Sequence, residues 1–385
     1  MLDFEDEDDS VKENQKINKK VLGLIVSKKC NLNCTYCYVD EKEDRIMELD
    51  VAKRIVSNFL KEEADADFIQ IDFMGGEPLT AYSLIHDVCE WIWSLEDTGH
   101  IGCFATTNGV LLTEDMKQWF LKNKEKISLS LSYDGRKAHD MNRSNSLAAI
   151  DIDFFRSAWP KQPVKTTISE QSVYFLAEDV MDLFERKIPF VASFEMGAGE
   201  WEADTLKVLS EQMHRITQYC LKHPEVDFGG CFDIDIRPAA WKFKKGYKRC
   251  GIADPFYVVD MEERKYPCQM MSSLALPQNR LEGVDAVDMF HRDDYSIRNC
   301  RNCILDNICP ICYAMSYKRY GDPFQREGNI CRIYQIVVKI YCGYLIRKLM
   351  AKQELCQEDK ALLNLAGRIL CRIGECSISN QTYLG

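Results

Sequence analysis

The sequence predicts an α/β protein, with an open, partial (β/α)6 barrel of the TIM type, then a cysteine-rich region and terminal helices. Two observations predict this fold class. Between residues 21 and about 225, six short β-rich runs alternate with stretches of helical periodicity, and near residue 228 the alternation stops and cysteines become frequent. Strands that alternate with helices form a parallel sheet. Six such units favour an open barrel over a closed barrel of eight.

The strands of the barrel are predicted from short runs rich in β-branched and aromatic residues. These runs are VLGLIV (21–26), FIQIDF (68–73), IGCFAT (101–106), ISLSLS (127–132), VKTTIS (163–168) and FVASF (190–194). Apolar residues at helical spacing separate most of them, as in 51–60, 84–91 and 175–184. Active sites of such barrels lie at the C-terminal ends of the strands, so we expect the site in the loops that follow them.

Four segments follow from the pattern. We predict an acidic flexible tail over 1–20, the barrel over 21–227, a cysteine-rich domain over 228–335 and helices over 336–385. The terminal helices are predicted because apolar residues recur at intervals of three and one from Ile333 to Leu345, and again from Leu362 to Ile373.

Composition excludes several classes of function. The chain has 385 residues, 46% of them hydrophobic, and a formal charge of 49 − 60 = −11, which argues against a nucleic-acid partner. No signal peptide opens the chain, and no apolar run reaches the roughly 18 residues that a membrane span needs. We therefore expect a cytoplasmic protein without a membrane partner. In that compartment 18 cysteines indicate metal or redox chemistry rather than disulfides.

The first cysteine cluster lies in KKCNLNCTYCYVDE, directly after the first predicted strand. It contains Cys30, Cys34 and Cys37, whereas a disulfide framework needs pairs and a closed zinc site needs four ligands. Three thiolates leave one ligand position open.

The spacing Cys30-x3-Cys34-x2-Cys37 resembles the signature of the radical S-adenosylmethionine (SAM) enzymes. The resemblance implies that the three thiolates hold a 4Fe-4S cluster whose fourth iron binds SAM. Soft thiolates suit such clusters, and an open position permits chemistry on a bound molecule. It further implies an oxidoreductase that cleaves SAM reductively and abstracts hydrogen with a 5'-deoxyadenosyl radical.

Motifs at the ends of the next strands strengthen the resemblance. FMGGEPL (73–79) resembles the family element in which Gly75 and Gly76 allow close backbone approach and Glu77 receives the SAM ammonium. TTNG (106–109) and LSYDG (131–135) resemble elements placed around the ribose and methionine of SAM, which implies contacts from four residues: Thr107, Asn108, Ser132 and Asp134.

Two further residues match positions that the family uses around SAM. Tyr36 resembles an aromatic position that packs at adenine, and Arg143 resembles a position that binds the SAM carboxylate. A core tyrosine and a surface arginine are the plain alternatives. The resemblance assigns no catalytic side chain beyond the cluster that generates the radical.

The second cysteine set resembles the SPASM domain, an extension with two auxiliary 4Fe-4S clusters, which brings the implied total to three. By family topology the outer cluster is held by Cys300, Cys303, Cys309 and Cys331, and the inner one by Cys250, Cys268 and Cys312. The set departs from the family in having two residues between Cys309 and Cys312, where three are usual. It also has Glu263 where a glycine is usual.

The ligand set of the inner cluster stays open at the sequence level. Its three cysteines leave either an open iron, which we favour, or a fourth ligand from Cys231. The remaining cysteines are expected to pack as small hydrophobes. Zinc is a further alternative for the CxxC pairs.

Known SPASM enzymes mostly modify peptides or proteins, so the resemblance implies a maturase. The favoured function is a peptide maturase that installs a carbon–carbon, thioether or ether crosslink in a ribosomally made precursor peptide. The alternatives are oxidation of Cys or Ser to formylglycine, as in anaerobic sulfatase maturases, and a zinc-structured adaptor without activity. Gln269 stands where sulfatase maturases have an aspartate base, and glutamine cannot accept that proton.

The expected partners follow from this function. They are the precursor peptide and an electron donor such as flavodoxin or ferredoxin. Recognition of the precursor's leader falls to the barrel, to the cysteine-rich domain or to a separate leader-recognition protein. The residues ahead of the barrel are too few to form a peptide-recognition domain of their own.

Overall fold

The computed structural model describes residues 17–39, 41–197, 199–241, 247–248, 250–298 and 300–373. Residues 1–16 of the predicted acidic tail and Cys376 lie outside these ranges. Lys19 and Lys20, the last two residues of the predicted tail, belong to the first strand. Both lysines there are held by side chains, since Lys19 Nζ donates to Gln70 and Lys20 Nζ donates to Asp254, each at 2.7 Å.

All six predicted strands are confirmed, and a short hairpin follows them. The strands are β1 (Lys19–Ser27), β2 (Phe68–Gly75), β3 (Ile101–Thr107), β4 (Ile127–Leu131), β5 (Val164–Ile168), β6 (Phe190–Phe194), β7 (Phe256–Val259) and β8 (Lys265–Tyr266). Helices of the barrel region are α1 (Leu49–Glu62), α2 (Tyr82–Ser94), α3 (Glu114–Lys122), α4 (Ala138–Asn142), α5 (Ile152–Ala158), α6 (Leu176–Glu185) and α7 (Ala203–Lys222). Those after it are α8 (Phe228–Cys231), α9 (Gln278–Leu281), α10 (Tyr313–Tyr320), α11 (Gly328–Met350) and α12 (Gln357–Arg372).

The main sheet has the strand order β4-β3-β2-β1-β7-β8, and β5 and β6 form a second parallel pair. β1 to β4 are parallel throughout, as the alternation of strands and helices predicts. The two sheets meet at β4 and β5 through a bridge between Ser132 and Lys165, and the Tyr133 N–H donates to the Lys165 carbonyl (2.9 Å). All the C-terminal ends of these six strands therefore point to one side, where the predicted motifs lie.

β7 extends the sheet beyond the predicted barrel. It pairs in parallel with β1, with Val21 opposite Phe256 and Leu24 opposite Val259, although the sequence assigns it to the cysteine-rich domain. β7 and β8 are joined by a tight turn in which Glu263 adopts a φ of 60°. That left-handed conformation favours glycine, which is the physical reason for the glycine usual there. The Glu263 carboxylate is paired with Arg54 of α1 (2.6 Å).

One face of the barrel strands is buried under the helices and the other is partly open. In β3 every second residue, starting at Ile101, is buried, and the residues between are half-buried. Ile69, Ile71 and Phe73 of β2 belong to the buried face, which is continuous with the core under α1 and α2. The alternate residues of β2 include the half-buried Gln70 and the buried Asp72, whose side chains are hydrogen-bonded, so the second face carries polar side chains.

The terminal helices begin earlier than predicted. α11 starts at Gly328, within the predicted cysteine-rich domain, so the boundary at residue 336 does not coincide with a helix end. The Glu327 carboxylate caps this helix by accepting from the N–H groups of Asn329 and Ile330, at 3.3 and 2.7 Å. α11 packs against both α7 and α12. Within the described ranges, none of the helices combines the length and the apolar character that crossing a membrane requires.

Candidate active site and cysteine sets

Cys30, Cys34 and Cys37 lie together in the loop that follows β1. Cys30 and Cys34 are half-buried and Cys37 is exposed, and the three thiols lie within electrostatic range of one another. Burial raises the pKa of Cys30, and it raises the pKa of Cys34 to about 11. A bound metal keeps its cysteine ligands deprotonated. The donor set, three adjacent soft ligands on one loop, fits an iron–sulfur cluster with an open position.

Glu77 presents a buried carboxylate beside this loop. It accepts hydrogen bonds from Thr107 Oγ1 (2.7 Å) and from the N–H groups of Asn108 (2.8 Å) and Leu79 (3.1 Å). Burial raises its pKa, and the Cys30 thiol is within electrostatic range. A carboxylate has about four acceptor sites. Three are occupied, so Glu77 keeps capacity for one further donor, as an ammonium ligand would require.

The two glycines before Glu77 allow the backbones after β1 and β2 to approach each other. A Cβ at Gly75 would lie 2.2 Å from the Ser27 carbonyl oxygen, and one at Gly76 would lie 2.6 Å from the Lys29 carbonyl oxygen. The Gly76 N–H donates to Ser27 and the Glu77 N–H donates to Lys29. Because these glycines lack a side chain, the backbone at Ser27 and Lys29 can lie directly against them, and this contact positions the cysteine loop.

The ends of β3 and β4 and the turn after α4 also contact the cysteine loop. Asn108 Nδ2 donates to Asn31 Oδ1 (2.9 Å), and the Asn33 N–H donates to Ser144 Oγ (2.8 Å). Ser132 is half-buried, and its N–H donates to the Thr107 carbonyl (2.8 Å). Asn31 and Ser144 were not singled out from the sequence, because their role is visible only once the strand ends are adjacent.

Asp134 joins two other predicted residues in a buried network. Its carboxylate accepts from Tyr36 Oη (2.5 Å) and from Nε and Nη2 of Arg143 (3.0 and 3.2 Å). It also accepts from Asn142 Nδ2 (3.1 Å) and the Thr167 N–H (3.0 Å). The Arg143 guanidinium lies 5.2 Å from the centroid of the Tyr36 ring. Arg143 is therefore buried and paired, which excludes the alternative of a surface arginine.

Three of the later cysteines also come together. The Cys268 thiol is within electrostatic range of Cys312 and Cys250, and Cys312 is within range of Cys250. Burial raises the pKa of Cys268, and it raises the pKa of Cys312 to about 11. These are the three cysteines that the SPASM resemblance assigns to the inner cluster.

The four remaining cysteines of the predicted outer set lie on two segments. The Cys303 N–H donates to the Cys300 carbonyl (2.8 Å), and Cys309 follows in the same irregular segment. Cys331 lies on α11, where its Sγ accepts from Gln335 Nε2 (3.3 Å).

Across the described ranges, no three His, Cys, Asp or Glu side chains converge as ligands of a single metal ion would. A 4Fe-4S cluster is held through different irons, so its ligands need not converge on one point.

Cys231 occupies different surroundings from the inner set. It ends α8, and its thiol lies within electrostatic range of Asp227 and Cys220, which is on α7. Burial raises its pKa to about 12. Whether Cys231 or an open iron completes the inner set stays a prediction.

Tyr38 connects the surroundings of the two cysteine groups. Its hydroxyl lies within electrostatic range of Cys30, Cys37 and Cys268, and burial raises its pKa. Gln269, next to Cys268, has a buried Oε1 atom that lacks a hydrogen-bond partner among the described residues. The two cysteine groups thus both lie near Tyr38, and the residue after Cys268 keeps an acceptor without a described partner.

Comparison with known proteins identifies the class. Residues 24–150 match the family model of the radical SAM superfamily. These residues form a radical SAM domain, and the homologues that share it are enzymes.

Individual relatives are more distant. The chain is 22% identical over 357 residues to the radical SAM cyclopropyl synthase TigE of Paramaledivibacter caminithermalis, a match that covers 83% of this chain and 73% of TigE. It is 26% identical over 193 residues to the GTP 3',8-cyclase of Cronobacter sakazakii, which covers 46% of this chain and 56% of the cyclase.

Solved structures share the fold over most of the chain. Native anSMEcpe with bound AdoMet and the Cp18Cys peptide has a TM-score of 0.61 at 16% identity, and the match covers 91% of this chain and 99% of that one. Streptococcus suis SuiB bound to the precursor peptide SuiA has a TM-score of 0.50 at 18% identity, covering 82% and 76%. These likenesses confirm the predicted fold class.

Proposed function

We propose that this enzyme is a radical SAM/SPASM peptide maturase that acts on a ribosomally made precursor peptide and installs a crosslink. The observation that carries the proposal is the proximity of Tyr38 to Cys30, Cys37 and Cys268, which brings the first cysteine loop near the inner cysteine set. A substrate bound there would reach both the SAM site and the inner set. A 4Fe-4S cluster and SAM, when bound, supply the hydrogen-abstracting radical, and the protein supplies binding and orientation.

The residues around the first cysteine loop divide the work of binding. Cys30, Cys34 and Cys37 hold the catalytic cluster. Glu77 takes the ammonium of SAM through its remaining acceptor site, and Arg143, within electrostatic range of both Cys34 and Glu77, takes the carboxylate. A cation and an anion site side by side suit the two charged ends of an amino acid.

The auxiliary clusters are assigned on the second cysteine set. Cys250, Cys268 and Cys312 hold the inner cluster, and their mutual proximity supports this assignment. Cys300, Cys303, Cys309 and Cys331 hold the outer one. The chain then binds three clusters in total, and an electron donor such as flavodoxin or ferredoxin reduces them.

A peptide substrate is favoured over other radical SAM substrates. The shared fold includes proteins solved with the Cp18Cys peptide and with the precursor peptide SuiA. Gln269 cannot act as a general base at neutral pH, which disfavours formylglycine formation by a base at that position. Its buried Oε1 suits a different task, that of accepting a hydrogen bond from a substrate N–H. Of the bond types considered, the name of TigE favours carbon–carbon bond formation.

The test is expression of this protein with the short open reading frames that neighbour its gene, each examined by mass spectrometry. A precursor that loses a pair of hydrogens, with fragmentation blocked between two residues, supports a crosslinking maturase. The Cys30→Ala/Cys34→Ala/Cys37→Ala variant is the control and leaves the precursor unmodified. Formylglycine in the product, or modification that persists with the control variant, contradicts the proposal. A leader-recognition partner is tested in the same system by adding or omitting its gene.

A further inference from the structure

The carboxylate of Asp134 has no acceptor capacity left for a ligand. It receives five hydrogen bonds, from Tyr36, Asn142, Thr167 and, twice, Arg143. A carboxylate offers about four acceptor sites. Its side chain is also fully buried, with 0% exposed. Direct contact with SAM, which the sequence resemblance implies for Asp134, would require one of these bonds to break.

The donors to Asp134 come from chain segments that are far apart in the sequence. Tyr36 lies between two cysteines of the catalytic loop, Arg143 follows α4, and Thr167 belongs to β5. A single buried carboxylate thus ties the cysteine loop to the ends of two other elements. The bonds from Arg143 are charge-assisted and therefore stronger than neutral ones.

Arg143 keeps donors free after it has paired with Asp134. A guanidinium carries five N–H groups, and Asp134 uses one on Nε and one on Nη2. Nη1 makes no hydrogen bond to any described residue. Cys34 and Glu77 both lie within electrostatic range of this cation. The unpaired Nη1 group of Arg143 therefore belongs to a cation that lies near the predicted cluster ligand Cys34 and the predicted ammonium site at Glu77.

We propose that Asp134 is a positioning residue, which does not touch SAM but holds Arg143 and Tyr36 in the orientation that binds it. The proposal rests on the SAM-binding role proposed above for Arg143. In this arrangement the Tyr36 hydroxyl donates to Asp134, and the aromatic ring of Tyr36 remains available to contact a ligand. The carboxylate also balances the charge of the buried guanidinium, which would otherwise be costly to keep in the interior.

A matched pair of tyrosine variants provides the first test. Tyr36→Phe and Tyr266→Phe each remove one hydroxyl from a buried aspartate, because Tyr266 Oη donates to Asp260 (2.9 Å) as Tyr36 Oη donates to Asp134. The affinity of the reconstituted, three-cluster protein for SAM is measured by equilibrium dialysis without reductant. Tyr36→Phe weakens SAM binding by about three- to tenfold, the loss expected for a bond to a charged acceptor. Tyr266→Phe leaves it unchanged.

Asp134→Asn gives the larger effect and tests the mechanism. SAM binding weakens by about tenfold or more. The asparagine amide has an NH2 group in place of one carboxylate oxygen, so it cannot accept both hydrogen bonds from Arg143, and the guanidinium is no longer held in place. Iron content stays at the wild-type value, and the change that SAM causes in the magnetic spectrum of the reduced catalytic cluster is reduced at equal SAM concentration. In a cycle with Arg143→Gln, the double variant loses less SAM affinity than the sum of the two single losses, since Asp134 acts through Arg143 and Tyr36.

Each contrary result overturns the proposal. Wild-type SAM affinity in Asp134→Asn does so, as does an additive loss in the double variant, which would indicate direct contact. If Asp134→Asn fails to assemble its clusters, Tyr36→Phe decides, and wild-type affinity there rejects the network. The measurement needs SAM and no peptide, so it remains readable if the proposed peptide activity fails.

Discussion

Two buried aspartates of this enzyme, Asp134 and Asp260, make an informative comparison. Each is 2% exposed, and each accepts a hydrogen bond from a tyrosine hydroxyl. The other partners of Asp260 are Ser273 Oγ (2.8 Å) and the N–H groups of Glu262 and Arg264 (both 3.1 Å), all close by in the sequence. Asp134, by contrast, binds a guanidinium and donors from distant segments.

The difference shows that a buried aspartate paired with a tyrosine has two distinct roles in this protein. Asp260 uses neutral donors, most of them within a few residues, and so fixes the turn that joins β7 to β8 just before Cys268. Asp134 uses a buried cation and assembles separate strand ends around the first cysteine loop. We therefore expect substitutions around the first loop to impair SAM binding and substitutions in the hairpin to affect stability alone.

The largest expected effect comes from the three cysteines of the first loop. The Cys30→Ala/Cys34→Ala/Cys37→Ala variant makes no 5'-deoxyadenosine from SAM under dithionite, because the cluster proposed there loses its protein ligands. Its iron content falls by about a third, since the second cysteine set is untouched and is proposed to hold two clusters of three. Chromatography of the nucleoside product and iron analysis measure both. Cys371→Ala, which removes an exposed thiol outside both sets, is the control. Undiminished 5'-deoxyadenosine in the triple variant would refute the site.

Gly76→Ala tests the packing that positions the cysteine loop. The new Cβ would lie 2.6 Å from the Lys29 carbonyl oxygen and 3.0 Å from Cys30 Cβ, so the loop must shift. We expect a loss of about 1–3 kcal/mol in stability, as for other overpacked sites, and incomplete iron loading. Gly99→Ala, where a Cβ meets no atom within 4 Å, serves as the matched control. Equal melting temperatures and iron contents in the two variants would contradict this account.

Glu77→Gln separates SAM binding from cluster assembly. The variant loses a charge-assisted contact to the ammonium, so the Kd for SAM rises by about tenfold or more while iron content is unchanged. Glu195→Gln changes another partly buried carboxylate, which accepts from the Glu170 N–H (2.7 Å) and Trp201 Nε1 (3.0 Å) at the end of β6. Its SAM affinity should equal that of the wild type. A Kd for Glu77→Gln within twofold of the control would show that Glu77 does not bind the SAM ammonium.

The smallest expected effect is on the pH dependence of stability and concerns His139, which contacts the backbone of Asp134. Its Nδ1 accepts from the Asp134 N–H (3.4 Å), and burial lowers its pKa to about 4 from an ordinary value of 6.5. The unfolded state therefore takes up the proton first as the pH falls below about 6.5, and stability present at neutral pH is lost. Between about pH 7 and pH 5 the loss amounts to about 2 kcal/mol.

Comparison with His139→Gln isolates that contribution from the pH dependence of the cysteine ligands. The wild-type melting temperature should fall more between the two pH values than that of the variant. A parallel decline in both proteins would show that His139 does not titrate in this range.

Much of the barrel could be predicted from the sequence, because its strands carry local signals. Each of the six β-rich runs became a strand, and the motifs at their ends lie together since parallel strands share one C-terminal edge. Glu77, Thr107 and Asn108 illustrate this, because the fold class alone places them side by side. The helices α3 and α5 were not singled out, since they are short and only partly apolar.

The remainder depends on contacts that no local pattern encodes. β7 has only four residues and pairs with β1 across more than half of the chain, so its place in the sheet could not be read from periodicity. The saturation of Asp134 was missed for a similar reason, because its donors reach it from residues as distant as Tyr36. Sequence resemblance places a residue near a ligand, but only geometry shows whether an acceptor site is left.

The pairing of β7 with β1 makes the barrel dependent on the segment that follows it. Without β7, one edge of β1 would present free backbone N–H and C=O groups along Val21 to Leu24, and an open edge of this kind recruits strands from other molecules. A chain shortened to the barrel would therefore tend to aggregate through that edge even with its core intact. The C-terminal region, whatever clusters it holds, protects the edge of the strand that leads into the first cysteine loop.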